Sequence, residues 1–254
     1  CKILFLIDRE KIMKTKIIIV ISILLILTIN VNAITVEYIP LKETNNYWEL
    51  INLIEEYTVK REEIHNNADN ARLAGYTNDS DVIMNLKGLW YFYNEIIRFY
   101  QNQLDKINKE LDKLEYKDAT LIWEYMKSLG WNDYVCAGIL GNMMAEVGGG
   151  TLDLQTTIYG NGFYGLCQWN KIFTDKVWGA DLKGQMDFLR DDIKYQIDMF
   201  GFCYSNNFNF EKFLELENEQ EAALAFMKCY ERGLPQSNYV RQQYATIAYE
   251  YFVQ

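Results

Sequence analysis

From residue 86 onward, apolar side chains recur at alternating spacings of four and three: Leu86, Trp90, Tyr93, Ile97, Tyr100, Leu104, Ile107, Leu111 and Leu114. A 3.5-residue repeat kept over about four heptads predicts a helix with a coiled-coil seam. Upstream, Tyr47, Leu50, Ile54, Tyr57, Ile64, Ala68 and Ala71 form a second helical stripe, interrupted by Arg61. Between the two stripes, residues 75–81 read as a turn, with Ser80 or Asp79 capping the next helix. Residues 34–117 are therefore expected to form an antiparallel helical hairpin. Such a hairpin buries little by itself, which leaves an outer face open to self-association or to a partner. The aromatic run Trp90 to Tyr93 is read as packing.

The pattern changes after residue 117. Asp118 is placed to cap a helix over 119–129, with Gly130 ending it. Asn132 then caps a second helix, whose apolar positions are Val135, Ile139, Leu140, Met143 and Val147, and Gly148 to Gly150 stop it. Residues 151–169 alternate in character around Gly160, Gly162 and Gly165, which suits a small β-hairpin. Helical periodicity returns over 183–200, 219–230 and 238–252, and the chain's two prolines, Pro40 and Pro235, interrupt none of these. The second part, residues 118–254, reads as a mainly α domain with a minor sheet.

The start of the chain has a different composition. Lys14 and Lys16 precede an apolar run from Ile17 to Ile29, and Val31-Asn32-Ala33 ends in a small residue. These are the three parts of a secretory signal, and the run is short for a membrane span. Residues 1–12 precede Met13 and are read as a non-native prefix. The expected location is thus secreted or cell-envelope, with membrane contact only in transit.

The chain carries 25 basic and 35 acidic residues; the first 33 hold five of the former and two of the latter, leaving a net charge near −13. Phosphate binding rests on Lys and Arg, so nucleic acid is excluded as an expected partner. The one histidine, His65, lies in a polar stretch of the hairpin. A zinc site built on several histidines is excluded, and no metal or other cofactor is called for. A Cys–His peptidase would need His65 to reach Cys167, and no accompanying motif supports that. Discounting Cys1, the cysteines are Cys136, Cys167, Cys203 and Cys229, which allow three pairings; Cys203 and Cys229, each preceding a Tyr, are the preferred pair.

The candidate chemistry lies at Glu146, in the last turn of its helix. There the helix dipole is negative and Met143, Met144 and Ala145 adjoin it. Both effects favour a protonated carboxyl, as a general acid needs. GILGNMMAE ending at Glu146, YGLCQW ending at Trp169, and the tail AALAFMKCYERGLPQSNYVRQQYATIAYEY together resemble the phage tail lysozyme family of the lysozyme-like superfamily. In that family a helix ends in the catalytic Glu, and a short hairpin follows with a Gly-Leu-Cys/Met-Gln motif. The resemblance implies an α+β lysozyme-like fold over residues 118–254 and a peptidoglycan glycosidase cutting the β-1,4 link between N-acetylmuramic acid and N-acetylglucosamine. The family's Ser and Asn-Pro after the acid are replaced here by Val147 and the three glycines, which alters the loop beside it.

The resemblance implies that Glu146 is the acid and that Tyr164, Gln168 and Trp169 touch the glycan. Asp153, Asp175 and Glu231 are candidates for a second carboxylate, Glu231 also for an ion pair with Arg232 that braces the site. Whether water attacks (a muramidase) or the sugar's own 6-hydroxyl closes a ring (a lytic transglycosylase) stays open. The alternative from another class is a non-catalytic module that binds glycan or protein through a lysozyme-like fold and the hairpin.

Overall fold

The computed structural model describes residues 41, 43–171 and 176–253. The proposed prefix and secretory signal lie outside these residues. The chain divides into two compact units, one up to Glu110 and one from Leu111.

The first unit is a pair of helices, α1 (Tyr47–Leu73) and α2 (Asp81–Leu111). Asn46 caps α1 by accepting the Glu49 amide, and Ser80 caps α2 by accepting the Ile83 amide. Leu50 and Tyr57 of α1 pack with Ile96, Tyr100 and Leu104 of α2, while Ala68 meets Ile83 and Leu86 near the turn. That order makes the pair antiparallel. Tyr57 stacks against both Tyr93 and Tyr100, with ring centroids 6.2 and 5.9 Å away.

The buried line differs from the predicted heptad. Leu89 and Ile96 are buried where the strict repeat points to Trp90 and Ile97, both of which are half-buried. A straight helix of 3.6 residues per turn drifts from a 3.5 repeat, so neighbouring positions take over the seam. Leu114 lies beyond the helix end and is exposed. Arg61 does not break α1, and its guanidinium reaches across to donate to Asn94 of α2.

The second unit holds α3 (Lys117–Ser128), α4 (Asp133–Val147), α5 (Leu182–Phe200), the short α6 (Phe210–Leu214), α7 (Glu219–Phe226) and α8 (Asn238–Val253). A single π turn, Met227–Glu231, continues α7. Asp118 is not the cap of α3. Tyr116 holds that position, and Asp118 sits in the first turn within reach of the Thr156 hydroxyl, 3.5 Å away. Asn132 does cap α4, accepting the Val135 amide at 2.9 Å.

The expected hairpin is a three-stranded antiparallel sheet in order β1 (Tyr159–Gly160), β2 (Phe163–Tyr164), β3 (Trp169–Asn170). Tyr164 pairs with Tyr159 on one side and Trp169 on the other.

Helix α4 is the core of this unit. Eleven of its 15 residues are buried, which requires neighbours on nearly every side. Helices α7 and α8 supply them and approach very closely. A Cβ on Gly138 would lie 2.6 Å from the Ala222 side chain, and one on Gly141 2.4 Å from the Ala245 backbone nitrogen. Small residues on all three helices make that approach sterically allowed.

All four described cysteines are free thiols, Cys203 exposed and the others buried, so the preferred Cys203–Cys229 bridge is not formed. Burial pushes the thiols of Cys136 and Cys229 up to about 12, the range of inert core thiols. Among the described residues, no helix is long and apolar enough to cross a membrane.

Two glycine substitutions separate these packing environments. Gly141→Ala should destabilise the second unit by about 1–3 kcal/mol or more, since backbone must move to admit the methyl group. Gly88→Ala, on α2 with open space around the new Cβ, should stabilise the first unit by about 0.5–1 kcal/mol. Thermal unfolding of each variant against the parent chain checks both signs.

Candidate functional site

Three sequence-distant elements converge on one guanidinium. Arg241 stands on the face of α8 that also buries Ala245 and Ala248, and its side chain is only 7% exposed. Its Nη1 donates to Asn142 Oδ1 at 3.0 Å and to Glu231 Oε2. Its Nη2 donates to Glu146 Oε1, and its Nε to Ser237 Oγ at 3.3 Å.

Asn142 and Glu146 are four residues apart on α4, so one helix face presents both. Asn142 is itself fixed, since its Nδ2 donates to the carbonyls of Gly138 and Ala223 at 2.8 and 3.0 Å. Glu231 closes the π turn after α7. Arg232 then takes a left-handed backbone, φ +53°, and turns the chain away. A π turn inserts one residue into the helical register, which here faces Glu231 toward Arg241.

The two carboxylates differ in exposure. Glu146 is 24% exposed at its side chain and Glu231 5%. Burial, the largest effect, pushes the Glu231 carboxyl up to about 8; Glu146 adds to this and Arg241 opposes it. Glu231 Oε1 has no hydrogen-bond partner. Burial thus favours the protonated form of Glu231, and Glu146 is the more exposed of the two carboxyls.

The β2–β3 turn lies beside this cluster. Cys167 is buried within electrostatic reach of Glu146, Glu231 and Arg241, and its thiol is pushed well up by burial. Gln168 follows in a left-handed conformation, φ +46°, its amide donating to Gly165 O at 2.9 Å. Gly165 must be glycine here, because a Cβ would lie 2.2 Å from Gln185 Oε1. Gln185, fully buried on α5, holds the turn: Oε1 accepts the Leu166 amide, and Nε2 donates to Thr156 O and Ala180 O.

The other predicted contact residues are placed differently. Tyr164 is buried, and its hydroxyl donates to Ala180 O at 2.8 Å. Trp169 is buried edge-on to Phe188, its Nε1 donating to the Tyr230 hydroxyl at 2.9 Å. Both have polar atoms committed within the fold. Asp153 is exposed and acts electrostatically on Tyr116 and Asp118 at the start of α3. Asp175 lies outside the described residues. The expected Glu231–Arg232 pair is absent: Glu231 pairs with Arg241, while Arg232 donates to Gln196 and lies over the Phe200 ring.

Arg241, Asn142 and Gln185 were missed by sequence reasoning. Arg241 left one signal, a cation in register with Ala245 and Ala248 on an apolar face, and Asn142 another, an amide inside an apolar run. Nothing in the sequence marks the π turn.

With this geometry in place, the comparisons with known proteins are decisive. A family model described as Phage tail lysozyme matches residues 117–252, more than half of the chain. The chain belongs to the phage tail lysozyme family. No curated protein and no solved structure matches it. The second unit is thus a phage tail lysozyme domain with a mainly α, lysozyme-like fold. Its Arg241 cluster joins the α4 helix to the α7–α8 segment, which carry two of the motifs that resemble the family.

The buried acid gives a pH-dependent signature. Glu231 has a folded-state value near 8, above the usual carboxyl range, so its contribution is present at low pH and lost as pH rises toward 8. Between about pH 5 and pH 8 the parent should lose more thermal stability than Glu231→Gln, in which that position no longer titrates. Tm against pH for the two proteins checks the sign.

Proposed function

We propose that the phage tail lysozyme domain is an exported peptidoglycan glycosidase, with Glu146 as general acid at the N-acetylmuramic acid–N-acetylglucosamine β-1,4 bond. The observation that carries this reading is the asymmetry of the cluster: among its charged groups, the most exposed is the Glu that the family motif assigns as the acid. Glycoside cleavage requires a proton for the leaving oxygen and relief of charge at the anomeric carbon. Glu146 donates the proton to the leaving O4. Arg241 then balances the carboxylate that donation creates, with no movement of the backbone.

Among the described residues, neither remaining candidate for the second carboxylate of a two-acid mechanism is placed to serve beside Glu146. Glu231 is too buried to meet a sugar or an attacking water, and the groups that Asp153 acts on lie at the start of α3. This favours a reaction completed by the substrate. The muramoyl 6-hydroxyl oxygen attacks C1, its proton passes to Glu146, and an anhydro ring forms, which is lytic transglycosylase chemistry. Gln168 borders the sugar site from the β2–β3 turn, while Tyr164 and Trp169 act beneath it by holding the sheet. The helical hairpin, residues 34–117 in this division, is an accessory element, and the export signal lies in residues 14–33.

Peptidoglycan digestion with mass spectrometry of the released muropeptides tests the reading. The parent chain should release products lighter by one water than reducing muropeptides. Glu146→Gln should lower the rate by about 10²-fold or more. Reducing products would identify a muramidase, and no release from the folded parent chain would mark a non-catalytic glycan-binding module.

A further inference from the structure

Three features outside the assigned acid invite explanation: the unpartnered oxygen of Glu231, the sharing of one guanidinium by two carboxyl groups, and the π turn that brings the second one in. The charges around Arg241 do not balance if both carboxyls ionise. One cation would then face two anions, one of them almost wholly out of water, and burial of an uncompensated charge is strongly unfavourable. The cluster relieves this by keeping a proton. The groups facing Glu231 are Arg241 from α8, Glu146 from α4 and Cys167 from the β2–β3 turn, with Tyr230 beside it on the π turn. Burial holds Cys167 and Tyr230 well above their ordinary values, so neither competes for that proton near neutrality.

We propose that Glu231 is a positioning residue for the reaction at Glu146: by dividing Arg241 with it, Glu231 makes the site retain a proton that Glu146 can donate. The proposal rests on the glycosidase reading above and extends it to a residue that never meets the glycan. Without Glu231, the guanidinium faces Glu146 alone, and an undivided opposite charge favours the carboxylate over the acid.

The test compares pH profiles of kcat/KM on peptidoglycan for the full chain and Glu231→Gln, which keeps size and hydrogen-bonding capacity but does not titrate. In the variant, the alkaline limb should move to lower pH by about one unit or more. A merely structural role would lower the rate without moving the limb, and an unmoved limb in a folded, active variant overturns the proposal. A second measurement does not depend on turnover or on that variant. Carbon-13 NMR of the labelled Glu231 carboxyl in the full chain and in Glu146→Gln should show its titration moving to lower pH once the neighbouring charge is gone. An unchanged titration contradicts the coupling whether or not the protein cleaves glycan. Loss of the glycosidase reading alone would leave the NMR shift intact, so the two failures are distinguishable.

Discussion

The site depends on Arg241, a cation enclosed by the core of the lysozyme unit and shared by an outer and an inner carboxyl group. Burying a guanidinium costs several kcal/mol unless its donors are satisfied, and here Asn142, Ser237, Glu146 and Glu231 take them up. Removing such a cation leaves the side chains gathered around it without their donor, a change worth about 1–3 kcal/mol for each buried group left unsatisfied. In the proposed mechanism the same contact sets the chemistry: the more exposed carboxyl is held in one orientation with its counter-charge waiting, while the buried one keeps the surroundings from over-stabilising that charge.

This arrangement needs α4, α7 and α8 at unusually short separation. Gly138 and Gly141 leave no side chain between α4 and its two neighbours, and alanines face them. At that distance Asn142 can bond a carbonyl of α7 and the guanidinium of α8 together. Packing and electrostatics are therefore one constraint. Widening the helix contact by a methyl group would displace Arg241 relative to both acids.

The helices were legible in the sequence because their caps and apolar stripes are local signals. Asn132 and Gly130 mark their boundaries by direct backbone chemistry, and the 183–200 segment differs from α5 by a single residue at its start. The motif around Glu146 likewise located one end of the cluster. What was not legible is long-range. Arg232, adjacent to Glu231 in sequence, is the obvious partner for it, but a left-handed turn removes Arg232 and the final helix delivers Arg241 instead. Aromatic residues near a glycan motif suggest stacking on sugar, yet the hydroxyl of Tyr164 and the indole nitrogen of Trp169 are spent on internal partners. In the hairpin, the heptad reading located the helix and missed the exact line of burial, because seam positions depend on helix twist.

The most direct test of this account is a crystal structure of the inactive Glu146→Gln chain with a peptidoglycan tetrasaccharide. The account predicts a glycosidic oxygen about 3 Å from the residue-146 side chain, Arg241 still bonded to Glu231, and the sugar passing the β2–β3 turn at Gln168. A glycan bound elsewhere on the domain, with residue 146 sealed behind Arg241, would contradict it.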